Sequence, residues 1–292
     1  MNTYSWLIRR EFWENRAIWI VPAIIGGALT LATLFGRVDI DAAALSDAHR
    51  AVVGGMVLFG FGVAFFVVMN IYSTWYLLDC LYADRKDRSV LFWKSLPISD
   101  TATVLAKLFT GLIAIPLVYF AAADLSTLMI AFIISMRART TFGTSLWQPD
   151  LWLQLQALWL YLIVTTAIWY LPFAGWLLAV SAWAKRAVML WSILPPLALY
   201  LLERWFFGTH YLGNALLERT AGYLSHAFRD LTDRGAWVTT VIGGDSITMP
   251  GSIWRVFDPV GFLSSPATWI GLAVGICFIV AAIQLRIRRT DI

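Results

Sequence analysis

The sequence predicts an all-α polytopic membrane protein with six transmembrane helices, and three observations carry that prediction. Hydrophobic residues make up 60% of the 292 positions, charged residues only 14%, and mean hydropathy is +0.71. A soluble domain carries nearer a quarter charged residues because its surface must face water, so lipid is the expected solvent for most of this chain. Second, six apolar stretches reach the roughly 20 residues that a helix needs to cross a hydrocarbon core about 30 Å thick. Third, lysine and arginine favour alternate connections between those stretches, which fixes an orientation.

The stretches are 18–36, 52–78, 104–134, 155–183, 188–206 and 267–285. Pro116, Pro172 and the pair Pro195 and Pro196 fall deep inside three of them. Each removes a helix hydrogen bond, which membrane helices tolerate where neighbours satisfy the backbone again. The first seventeen residues hold Arg9, Arg10, Glu11, Glu14 and Arg16 with no small-residue cleavage site after them. The run from Ile18 therefore reads as a retained anchor, not as a signal peptide.

With a cytoplasmic N-terminus, the inside segments are 1–17, 79–103, 184–187 and 286–292. Three of the four lysines, Lys86, Lys94 and Lys185, lie in them, and Lys107 lies one turn into the third helix. Both chain ends then face the cytoplasm of a bacterial inner membrane. Arg137 and Arg139 run against the trend, since a short outer loop should be poor in arginine. The largest extramembrane piece is 207–266. Leu217, Ala221, Leu224 and Phe228 recur in it at helical spacing, which predicts an amphipathic helix on the outer leaflet. Beyond them Gly243, Gly244, Pro250 and Gly251 predict an irregular loop.

Cys80 and Cys277 both fall at or within apolar runs and read as packing residues, not as a disulfide framework or zinc site. No G-x-x-x-x-G-K-[ST] stretch is present to cradle nucleotide phosphates, and there is neither an H-E-x-x-H pair nor a Gly-x-Ser-x-Gly elbow. His49, His210 and His226 are scattered through outer segments, so no metal site is expected. No enzyme activity is expected of the chain itself. Its basic residues also lack the dense clustering of a nucleic-acid binder.

Inside the membrane, Asp124 stands near the middle of the third helix. An ionisable residue at that depth is costly, so it is a candidate for a substrate path or for helix pairing. Asn70, Thr165 and Thr166 are its candidate partners. Gly271 and Gly275 form a G-x-x-x-G pair, which permits close helix approach at either a dimer seam or an internal contact. Trp147, Trp152, Trp205 and Trp269 fall near outer boundaries and read as belt anchors. Trp169 and Trp176 lie deeper, facing lipid or a cavity.

After the second helix comes Asp84-Arg85-Lys86-Asp87-Arg88-Ser89-Val90-Leu91-Phe92-Trp93-Lys94-Ser95-Leu96-Pro97, a mixed-charge turn leading into a short apolar knob. Such a knob suits a groove in a partner protein, and equally an interfacial helix with its tryptophan among headgroups. The run DRKDRSVLFWKSLPISDTATVLAK from Asp84 to Lys107 resembles the loop between helices two and three of the permease subunits of type-2 ABC transporters, the ABC-2 family. WLIRREFWENR, from Trp6 to Arg16, resembles that family's N-terminal elbow helix. LLAVSAWAKRAVMLWSILPP, from Leu177 to Pro196, resembles its short cytoplasmic hairpin. Arg88 replaces the glycine usual in the turn.

The resemblance spans nearly the whole chain and implies a single transmembrane domain, 1–292, that serves an ATP-driven exporter of hydrophobic or amphipathic compounds. It implies residues 1–17 as the elbow, 84–97 as a coupling helix, and 207–266 as the extracytoplasmic region. It further implies a separate ATP-binding subunit that holds ATP and magnesium, and a second permease copy or paralogue. On this footing Val90, Leu91, Phe92 and Trp93 form the docking knob, with Arg85, Arg88 and Lys94 as its charged rim. Asp124, Asn70, Thr165 and Trp176 are the substrate-path candidates. Two other readings stay open: a proton-coupled carrier centred on Asp124, and a membrane scaffold or enzyme.

Overall fold

The computed structural model describes residues 3–36, 47–86, 98–138, 141–229, 237–242, 245–250 and 252–288. In chain order these form α1 (Thr3–Glu14), α2 (Ala17–Phe35), α3 (Asp47–Lys86), α4 (Asp100–Phe109), a π-helical turn (Thr110–Ala114) and α5 (Ile115–Ala138). Then follow α6 (Thr141–Ser145), α7 (Pro149–Trp169), α8 (Leu171–Trp183) and α9 (Val188–Leu202), which ends in a second π turn (Glu203–Phe207). The last elements are α10 (Tyr211–Ala221), α11 (Tyr223–Ala227), β1 (Trp237–Ile242), β2 (Asp245–Pro250), α12 (Pro259–Ser264) and α13 (Pro266–Arg288), with a 3₁₀ turn at Ile253–Arg255.

Among the described residues, five helices are long and apolar enough to cross a membrane: 17–35, 50–86, 100–137, 149–169 and 266–288. They fall on five of the six expected stretches, and two stretches differ from expectation. The one expected at 155–183 breaks at Tyr170 (φ −89°, ψ 7°) into α7 and α8. Pro172 explains the break: it has no N–H to give residue 168, and its ring crowds that carbonyl. The stretch expected at 188–206 is α9, only 15 residues of α-helix before the π turn. The purely helical expectation also needs correction in the region read as an irregular loop. There β1 and β2 pair antiparallel in the register Trp237↔Pro250 to Ile242↔Asp245. Val238, Thr239, Thr240, Val241 and Ile242 are β-branched and favour a strand.

The main core gathers around α3. Phe65, Tyr76 and Leu81 of α3 pack with Val104 of α4, Ile115 and Tyr119 of α5, Leu178 of α8 and Ala282 of α13. The tightest seam joins α8 to α13. A Cβ on Gly175 would sit 2.7 Å from the Gly275 carbonyl oxygen, and one on Gly275 would sit 2.9 Å from the backbone carbonyl carbon of Leu171. Only glycine at both positions lets the two backbones touch. Gly271, the other half of the G-x-x-x-G pair, faces the Arg219 guanidinium. Both glycines are therefore engaged within the chain. In contrast, α9 has Val188 as its one buried residue, and Ile193, Leu197 and Leu199 are exposed.

Arg137 donates to the backbone carbonyls of Thr33 (2.6 Å) and Leu34 (3.2 Å), capping the C-terminal turn of α2. That cap accounts for an arginine where loop statistics disfavour one, because helix C-termini carry unpaired carbonyls and partial negative charge. Arg139 lies outside the described residues. The expected amphipathic stripe also differs: Gly222 separates α10 from α11, Tyr223 and Ala227 turn inward, and Leu217 and Leu224 remain exposed.

Candidate functional site

The last turns of α3 carry a carboxylate, Asp84, into the interior. Three cations converge on it from three other helices. Arg10 of α1 and Lys107 of α4 each lie 3.4 Å from Oδ1, and Arg286 of α13 lies 3.2 Å from Oδ2. Lys107 also pairs with Glu11 at 3.0 Å, Arg286 with Asp100 at 2.9 Å, and Arg10 with Glu14 at 2.7 Å. The Tyr76 hydroxyl donates to the second Glu11 oxygen at 2.7 Å. The side chains of Lys107, Glu11 and Asp84 are only 2%, 3% and 6% exposed. Buried charge is tolerable only when paired and hydrogen-bonded, a condition this network meets reciprocally. It joins α1, the end of α3, the start of α4 and the end of α13 at one point.

The sequence reading passed over this cluster, assigning Arg10 and Arg286 to a charge bias and Lys107 to a helix start. Helix α1 buries Leu7, Arg10 and Glu11, the two charged side chains because they find partners on α3 and α4. One signal was available: Lys107 sits past the first turn of an apolar helix, and a buried lysine demands an acid.

Arg85 follows Asp84 but turns towards α8, where its guanidinium donates to the carbonyls of Ser181 and Ala184, the latter at 2.8 Å. The Ser181 hydroxyl in turn accepts from the backbone N–H groups of Leu81 and Tyr82. Residues Arg88, Val90, Leu91, Phe92, Trp93 and Lys94 lie outside the described residues. The ion cluster thus stands at the root of the segment expected to dock a partner.

About two turns along α3 from Asp84 begins a cavity of about 710 Å³. Its walls come from α3, the first π turn and the start of α5, and from α7, α8, α9 and α10. Asn70 and Trp176 line it. The Trp176 indole N–H donates to the Ser192 carbonyl at 3.0 Å, tying α8 to α9. Thr165 does not line the cavity: its hydroxyl lies 2.7 Å from that of Tyr223, while the adjacent Thr166 reaches the wall. Asp124 is elsewhere, accepting a hydrogen bond from Gln156 of α7 at 2.7 Å. Asp124 and Trp176 therefore share no space, and the partner of Asp124 is a glutamine that sequence reasoning did not select.

Between cluster and cavity lies the π turn. Lys107 precedes it by one turn, Gly111 within it lines the cavity, and Pro116 follows it. Pro116 cannot donate to Leu112, and its ring pushes that carbonyl away, so the helix widens locally. Gly111 packs directly against the Leu77 side chain, with no room for a Cβ.

Among the described residues no group of three His, Cys, Asp or Glu side chains is arranged to hold a metal ion. No family model, curated protein or solved structure matches this chain.

Proposed function

We propose that this chain is the membrane-spanning subunit of an ATP-driven exporter of the ABC-2 type, with six spans and both ends cytoplasmic in a bacterial inner membrane. In this reading 1–17 is the elbow helix, and a separate ATP-binding subunit holds ATP and magnesium and grips the coupling helix 84–97. Two permease copies pair, and a hydrophobic or amphipathic compound is moved. The motif resemblance of 84–107 supports the family. The observation that carries the mechanism is the ion cluster at Asp84. It binds the root of the 84–97 segment to α1, α4 and α13, so a displacement of that segment moves a rigid unit and not one loop. The π turn then couples α4 to the cavity wall. Asp124, hydrogen-bonded to Gln156 away from the cavity, gives no support to a proton-coupled carrier.

Co-purification tests the reading. The native chain should bring down a soluble P-loop ATPase from its source membranes, and Leu91→Ala with Trp93→Ala should abolish that association while leaving the permease monodisperse. Full-strength association of the double variant would overturn the coupling assignment.

A further inference from the structure

Every side chain that lines the cavity is uncharged. Aromatic rings of Tyr170, Phe173, Trp176 and Tyr200 supply much of its wall. The polar groups on it are almost all spent on the protein itself. Asn70 donates to the Phe66 carbonyl, Thr74 to that of Asn70, and Thr166 to the Tyr223 hydroxyl. Tyr170, Ser192 and Thr220 each donate to a backbone carbonyl, and Tyr200 accepts from Arg204. Ser73 is different: its hydroxyl is buried and has no hydrogen-bond partner among the described residues. A second hydroxyl without a partner, that of Tyr119, belongs to a side space of about 20 Å³ that shares Met69, Pro116 and Ile163 with the main cavity. A buried hydroxyl left unpaired is costly, so each such group marks where a visiting atom would be held.

We infer that this cavity, complete within a single copy of the chain, binds one uncharged, ring-bearing, lipid-soluble molecule whose hydrogen-bonding group pairs with Ser73. The inference deepens the exporter reading, on which its biological sense rests, by naming the ligand class. Volume admits a drug-sized molecule. The uncharged walls disfavour an anion, which would lose its hydration with no counter-charge in return. Aromatic walls favour flat rings through offset stacking over flexible acyl chains. A phospholipid would have to leave its charged headgroup among these walls or outside them, with Ser73 still unpaired.

The purified full-length chain in nanodiscs, without any ATP-binding subunit, provides the test. N-phenyl-1-naphthylamine (uncharged, with one N–H) is titrated against its anionic relative 8-anilinonaphthalene-1-sulfonate and against 1-phenylnaphthalene, which has no hydrogen-bonding group. Saturable binding of the uncharged amine, at least tenfold tighter than the sulfonate, is expected. Ala167→Phe, at a half-buried wall position, should remove the saturable phase. Ser73→Ala should weaken the amine about fivefold, the effect of one net hydrogen bond, and leave 1-phenylnaphthalene unchanged. Equal binding of the sulfonate overturns the inference. So does an unchanged titration in both variants, or a co-purified phospholipid whose removal is needed before the amine binds. Should Ala167→Phe fail to fold, the Ser73→Ala contrast between the two uncharged probes decides alone. Since nucleotide and ATPase are absent, failure here is distinct from failure of the co-purification experiment.

Discussion

Helix α13 meets an arginine at each end, and the two meetings follow opposite chemistry. Near its start, Gly271 and Ala267 lie against Arg219, whose guanidinium donates to the carbonyls of Ala267 and Trp169 and stacks 4.2 Å from the centre of the Trp169 ring. Fifteen residues on, about 22 Å along the helix, Arg286 is itself the arginine, paired with Asp84 and Asp100. One end neutralises no charge and relies on carbonyl dipoles and an aromatic face. Burial there pushes the Arg219 guanidinium below its usual range, with Glu218 opposing. At the other end ions of both signs balance in a shared network. The difference teaches which end tolerates change. A guanidinium among carbonyls can be lost one hydrogen bond at a time, whereas a carboxylate serving three cations cannot be removed without taking a buried partner from all three.

Removing the shared carboxylate should therefore have the largest effect. Asp84→Asn leaves Arg10, Lys107 and Arg286 with one acceptor fewer in a buried site, and a loss of about 3–5 kcal/mol is expected. Heating detergent-solubilised protein and following its monodisperse peak reads this out. Adding Lys107→Met to Asp84→Asn should deepen the loss, because buried Glu11 then keeps the Tyr76 hydroxyl but loses its cation. A double variant more stable than the single one would show that the network is not governed by charge balance.

At the other end, Arg219→Ala forfeits carbonyl caps and a ring contact, for an expected loss of about 2 kcal/mol. If this matched Asp84→Asn, the contrast between the two ends would fail. Gly271→Ala sharpens the point. Its new methyl would displace a flexible guanidinium instead of backbone, so a cost of about 1 kcal/mol is expected, within the range of one lost interaction. The smallest effect belongs to Glu218→Gln, which breaks the pair with His226 at 3.4 Å. Glu218 is half exposed there, and less than about 0.5 kcal/mol should be lost at moderate salt. Raising salt should erase even that, while leaving the buried Asp84 network nearly untouched.

How far each end was legible follows from range along the chain. Arg286 lies 202 residues from Asp84, Arg10 lies 74 away and Lys107 only 23. Nothing local in the sequence announces such pairings, and charges near helix ends were naturally absorbed into an orientation rule. Arg137 was a warning that the rule was incomplete: the residue that fitted worst proved to be a cap on α2. Asn70 and Trp176 drew attention because polar or amphipathic groups inside apolar helices are rare, but whether each would face lipid, a cavity or Asp124 was not legible. Asp124 drew attention for the same reason, yet Gln156 satisfies it away from the cavity.

Composition and the lengths of apolar runs were enough to establish a helical protein with several helices able to cross a membrane. The reason is that hydropathy summed over about 20 residues is a local property. Proline positions alone did not separate Pro172, where one stretch divides in two, from Pro195 and Pro196, which leave α9 unbroken. The meeting of three cations at Asp84, the seam of Gly175 against Gly275, and the enclosure of an uncharged cavity beside Ser73 came from packing. Each depends on which faces of distant helices are pressed together, and no window of neighbouring residues contains that information.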